Sequence, residues 1–190
     1  MTSVMLTRLE KFTHDAQAAG NSWLFLEELG PLHERWHSVP RTARTVGFLL
    51  FHWHVVQDFK TLKLDKTMNA RAYTEDDFGA GGQFDQADWK SHMGDVQDAA
   101  DLDGLVRYSE AIESWHNEAH MVIGDATGAP MMQPRINIFY RPFWGLHFFI
   151  NEKFTTQLGS YARGSKLPSK QPATVVQSVE SQHRAYLKAI

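Results

Sequence analysis

Two histidine pairs spaced i, i+4 carry the chemistry of this 190-residue chain, which has ten histidines and no cysteine. His33 and His37 form one pair, His116 and His120 the other. On a helix, residues four apart share a face, so each pair can bring two imidazoles to one metal ion. Each is followed by an aromatic-rich apolar stretch with a further histidine: His52 in G-F-L-L-F-H-W-H-V-V, and His147 in F-Y-R-P-F-W-G-L-H-F-F-I-N. Three neutral imidazoles suit zinc, copper, iron or nickel, so the ligands alone do not choose the metal. His52 and His54 cannot both face inward, because two residues along a helix turn through about 200°. His54 therefore stands as an alternative to His52, or as an extra ligand.

The stretch from Glu113 to Asn151 resembles the second copper-binding half of the tyrosinase, catechol oxidase and hemocyanin family of type 3 copper proteins. That half reads H-N-x-x-H, an apolar run and a Gly, then D-P-x-F-[aromatic]-x-x-H-x-x-x-D. His116, Asn117, His120, Val122, Ile123 and Gly124 match the first part, and Phe143, Trp144, His147 and Ile150 the second. Tyr140 and Arg141 replace the Asp-Pro pair and Asn151 replaces the closing Asp, positions that usually orient the third ligand. His147 should accordingly have different support around it. Phe48, Leu49, Phe51, His52 and Val56 are similar to the first copper half, and favour His52 over His54. Trp53 stands where Arg is usual, Lys60 where Glu is usual, and the family's remaining ligand position falls on Thr42 or Ala43. His33 and His37 make up that deficit, which gives His33, His37 and His52 for the first site and His116, His120 and His147 for the second.

The resemblance implies a mainly α fold: an antiparallel four-helix-bundle core that holds a dinuclear metal site, with a long irregular loop and a C-terminal helix. It implies two copper ions and an oxidoreductase that uses O2 to hydroxylate or oxidise a small phenol, catechol or aminophenol. A copper-loading helper protein is a further candidate partner. Asn117 would help hold a water that deprotonates the phenol, with Glu113 assisting, and Phe143 and Phe148 would wall the substrate pocket. The same site without turnover is an O2-binding or copper-holding protein, and the atypical first half leaves room for N-oxygenation of an arylamine. Two readings compete on the residues themselves. His33-Glu34-Arg35-Trp36-His37 matches the H-E-x-x-H of zinc peptidases, although Pro31 and Pro40 bracket it. A carboxylate-bridged diiron bundle could draw on Glu34, Glu110, Glu113 or Glu118, with Glu113 to His116 as its E-x-x-H.

The elements that must position these residues follow from periodicity and breakers. The chain is expected to be a single domain over 1–190 with a core of its own. Helices are predicted over about Ser3 to Ala19, with Val4, Leu6, Leu9 and Phe12 inside, and from Asn21 or Ser22 to Pro40 with a break at Gly30-Pro31. Further helices are predicted over Thr45 to Leu64, Leu105 to Val122, Arg141 to Leu158 and Ala173 to Ala189. Residues 65–103 read as an irregular insertion, either a lid (Thr74 to Trp89) over the site or a mobile surface loop. Residues 159–190 read as a linker and final helix. His14, His92 and His183 are expected at the surface or in loops, the tryptophans near the ligands in the core, and Met131-Met132 in loop packing. A net charge of −3 with no basic face argues against nucleic acid. No run approaches the ~18 apolar residues of a membrane span. Without a secretory leader pattern, the expected location is cytoplasmic.

Overall fold

The structure is a computed structural model that describes residues 3–39 and 46–189. Among the described residues it holds eight α-helices and no strand: α1 (Ser3–Ala18), α2 (Trp23–His37), α3 (Gly47–Thr61), α4 (Leu64–Thr67), α5 (Trp89–Met93), α6 (Leu102–Thr127), α7 (Arg141–Gly164) and α8 (Pro172–Ala189). The expected bounds at Pro40 and Thr45, and the family's ligand position at Thr42 or Ala43, fall outside the described residues.

Four helices carry the site: α2, α3, α6 and α7. Helix α3 packs on α6 and α7, α6 on α7, and α1 covers α2 and α3. Helix α1 buries Leu9, Thr13 and Ala16, while Val4, expected inside, is 60% exposed. Met5 packs against the core in its place, so the apolar stripe starts one residue later than expected.

Helix α2 runs unbroken through Gly30 and Pro31, where a break was expected. Pro31 lacks an N–H, and a proline inside a helix costs about 3 kcal/mol. The buried stripe Phe25, Leu26, Leu29, Leu32, His33 and Trp36 continues across it. Each such side chain is worth roughly 1.5–3 kcal/mol when fully buried, so packing outweighs the local defect. Gly30 has its own reason: a Cβ there would lie 2.5 Å from the backbone oxygen of Arg135.

Helix α6 begins where Asp101 accepts a hydrogen bond from the Gly104 N–H at 2.8 Å, and ends at Gly128, whose φ of 71° is the left-handed cap. Helix α7 has Pro142 in its first turn and passes through Gly159, where a stop was expected, to Gly164. There the helix backbone approaches Ala100 too closely for any side chain.

The insertion over 65–103 is packed, neither structureless nor a lid. It forms α4, a 3-10 turn at Asp85–Ala87 and α5. Phe78, Phe84, Ala87, Trp89 and Met93 are buried. Phe78 meets Trp115 and Phe149 with ring centroids 4.9 and 5.2 Å away, and the Trp115 indole donates to the Ala87 carbonyl at 2.9 Å. These aromatics pin the segment against α6 and α7. Helix α8 lays Val175, Val176, Val179 and His183 inward, against α3, α6 and α7. His183 is thus a core residue, which corrects the surface role expected for it. No helix among the described residues is long and apolar enough to cross a membrane.

Candidate metal centre

Two histidine triads lie at the centre of the four helices. His33, His37 and His52 form one, His116, His120 and His147 the other, and within each triad the ligand atoms lie within 4.8 Å of one another. The triads adjoin: the His52 and His147 rings are 4.8 Å apart, and His37 and His116 are stacked at 6.2 Å. All six are buried except His37, which is partly exposed.

Four backbone carbonyls fix the rings. His52 Nδ1 donates to the Phe48 oxygen at 2.8 Å and His147 Nδ1 to the Phe143 oxygen at 2.7 Å, each one helical turn back. His33 Nδ1 donates to the Pro134 oxygen at 2.7 Å and His120 Nδ1 to the Met131 oxygen at 2.6 Å. A carbonyl can only accept, so Nδ1 carries the proton in these four neutral rings and Nε2 is left with a bare lone pair. Those bare nitrogens converge. His52 Nε2 lies 3.5 Å from His33 Nε2, and the buried His120 Nε2 has no hydrogen-bond partner. His37 and His116 can each donate an Nε2–H into the cluster, to His33 at 3.0 Å and to His147 at 3.2 Å, and a cation that displaces those protons would be coordinated by the same lone pairs.

Burial holds five of the six rings neutral. It lowers His33 and His120 to about 4 and pushes His52, His116 and His147 well below the usual imidazole range, with neighbouring imidazoles adding to the effect. Neutral rings are the ligating form at physiological pH. Two sets of three imidazoles, with no carboxylate or thiolate among them, can therefore hold two metal ions.

His147 takes its support from the backbone one turn earlier. The Phe143 carbonyl takes the role, and the Asn151 Oδ1, at the position of the closing Asp, makes no hydrogen bond. Phe143 stacks on His147 with centroids 3.8 Å apart and meets His33 edge-on at 5.2 Å. Phe148, expected beside it in a substrate pocket, turns instead to Phe59, Trp144 and Lys60. One residue beyond His147 on a helix is a rotation of about 100°, which takes it off the site. His54 also points away, 2.8 Å from Glu180 Oε1 on α8. Trp36 and Trp144 are buried, stacked on Phe51 and Phe59.

A cavity of about 60 Å³ opens on the triads, lined by His37, His116, Asn117, His120, Met131, Met132, Pro134 and Asn137. The roof is the connection between α6 and α7, not the Thr74 to Trp89 segment expected as a lid. Met131 is buried and Met132 exposed. Asn117 lines this cavity, whereas Glu113, buried one turn before His116, does not. Glu34 is exposed and pairs with Arg135 at 3.7 Å, away from the role of a water-activating base, and Glu118 lies 3.6 Å from His92. A cavity of about 550 Å³ beside Arg71, Tyr73 and Arg141 is lined by none of the triad histidines. Sequence reasoning missed Pro134 and Asn137, which bear no motif and reach the site only through the α6–α7 connection.

Comparison with family models, curated proteins and solved structures finds no match for this chain.

Proposed function

We propose that the protein is a dicopper oxidoreductase that uses O2 to hydroxylate or oxidise a small phenol, catechol or aminophenol. The observation that carries the reading is the pair of adjoining all-histidine triads with Nε2 lone pairs turned inward. Copper heads the divalent affinity order for such nitrogen sites, and the absence of carboxylates disfavours manganese and magnesium. The motif similarity to type 3 copper proteins points the same way. Two coppers held in this manner supply two-electron chemistry with O2. The chain's own residues provide the rest: Asn117 lines the cavity, and Phe143 covers one face of His147.

The test is oxygen uptake by copper-loaded protein with phenol, catechol and 2-aminophenol. The expected result is substrate-dependent uptake that disappears in His147→Ala. No uptake with any of the three contradicts the enzyme. The small cavity favours a second reading, O2 or copper binding without turnover, because about 60 Å³ does not take in a whole aromatic ring. Reversible, O2-dependent absorption without uptake above background would select that reading.

A further inference from the structure

The cavity of about 550 Å³ on α7 is lined by Arg71 and Arg141, by Tyr73, Phe139 and Tyr140, and by no acidic side chain. Arg71 and Tyr73 come from the connection after α4, which is fastened to α7. The Tyr73 N–H donates to the Gly145 carbonyl at 3.0 Å, and a Cβ at Gly145 would lie 2.9 Å from the Tyr73 ring. Tyr73 also meets Phe84 edge-on, with centroids 4.8 Å apart. Arg141 and Gly145 are one turn apart on α7, whereas Phe143 and His147 are each two residues further along. Two residues turn through about 200°, so this cavity and the triads occupy opposite faces of the helix. Among the described residues neither Arg71 nor Arg141 has an ion pair or a hydrogen-bond partner, whereas Arg135 pairs with Glu34 and Arg163 donates to Ser160. Two unpaired guanidiniums in one cavity, in a chain of net charge −3, mark a place for an anion. The last turn of α6, at Thr127 and Gly128, adds about half a negative charge to the wall, which two full positive charges outweigh. Asp77, whose charge acts on Tyr73 together with those of the two arginines, lies outside the lining and is engaged by the Thr74 N–H and hydroxyl at 2.7 and 2.9 Å.

We propose that this cavity binds a small planar organic anion, with its carboxylate or phosphate held by Arg71 and Arg141 and its ring on Tyr73, Phe139 and Tyr140. The guanidinium fork matches the paired oxygens of either headgroup, and aromatic faces take a flat ring. Phe139 and Tyr140 are 36% and 43% exposed, so apolar surface is available beside the charges. The volume falls in the range of small-molecule sites, in which a few polar groups orient a ligand against apolar walls. Lying on the other face of α7, the site is distinct from the metal centre and does not depend on which metal the triads hold.

Calorimetric titration of the zinc-loaded full chain with benzoate, phenyl phosphate and benzamide tests this. Benzamide has the shape of benzoate without its charge. The variants are Arg71→Gln and Arg141→Gln, with Arg107→Gln, an exposed arginine on α6 outside the cavity, as the control for net charge. All three side chains are exposed, so the fold does not depend on them. The expected result is binding of at least one anion but not of benzamide, weakened by about tenfold or more in each of Arg71→Gln and Arg141→Gln and unchanged in Arg107→Gln. The tighter of the two anions identifies the headgroup as carboxylate or phosphate. Unchanged affinity in either cavity variant places the anion elsewhere, the metal centre included, and overturns the proposal. Equal binding of benzamide, an equal loss in Arg107→Gln, or no binding of either anion to the wild type overturns it as well.

Discussion

At the scale of single residues, the site is defined by which nitrogen of each imidazole is engaged. Carbonyls of Phe48, Phe143, Met131 and Pro134 hold Nδ1 of four rings and leave Nε2 for the metal. This predicts opposite fates for two neighbouring histidines. His52→Ala should lose one of the two metals, while His54→Ala should keep both and weaken only the contact with Glu180. Elemental analysis of the two variants checks this, and equal metal loss would contradict it. His183 gives a pH prediction outside the ligand set. Burial lowers its pKa to about 4 against 6.5 in the unfolded chain. Between those values the unfolded state binds more protons, so the stabilising effect is complete above 6.5 and is lost as pH falls towards 4. Urea midpoints of metal-free protein should therefore fall less steeply over that range in His183→Leu than in the wild type. Parallel curves would contradict the assignment. The ligands were legible because the i, i+4 spacing puts two imidazoles on one face. His183 was not, because one histidine in a valine stripe looks the same whether it faces the core or the solvent.

At the scale of elements, the connection between α6 and α7 joins the two halves of the centre. It delivers the Met131 carbonyl to the second triad and the Pro134 carbonyl to the first, and Gly30 lets α2 approach it closely. A Cβ at position 30 would press on the Arg135 backbone, next to the Pro134 acceptor of His33. Gly30→Ala is thus expected to weaken metal binding at the first triad by roughly tenfold or more while sparing the second, as loss of ligand support typically does. Stepwise zinc titration followed by calorimetry would resolve the two sites, and equal weakening of both would contradict the account. Such a role leaves no trace in periodicity. Gly30-Pro31 reads as a helix break, yet the buried stripe from Phe25 to Trp36 carries the helix across it. The segment from 65 to 103 misled for a similar reason: Phe78, Phe84 and Trp89 follow no helical or strand period, and only packing shows them to be core, Phe78 and Trp89 on Trp115 and Phe149, and Phe84 on Phe78 and Tyr73.

At the scale of the whole molecule, six histidines from four helices meet in one buried cluster, so fold and metal binding should depend on each other. The helices themselves could be placed from apolar periodicity and caps, since α3, α6 and α7 present continuous buried faces. Their convergence was suggested by the similarity to a copper family, because no pairwise spacing links His52 to His147 across the 94 residues between them. The measurement that bears most directly on the central claim is copper content per chain, with an absorption spectrum recorded after reduction and re-exposure to O2. Two coppers are expected for the two triads, with a near-ultraviolet band that appears with O2 and vanishes on its removal. A single copper, zinc or iron in its place, or two coppers with no O2-dependent band would contradict it.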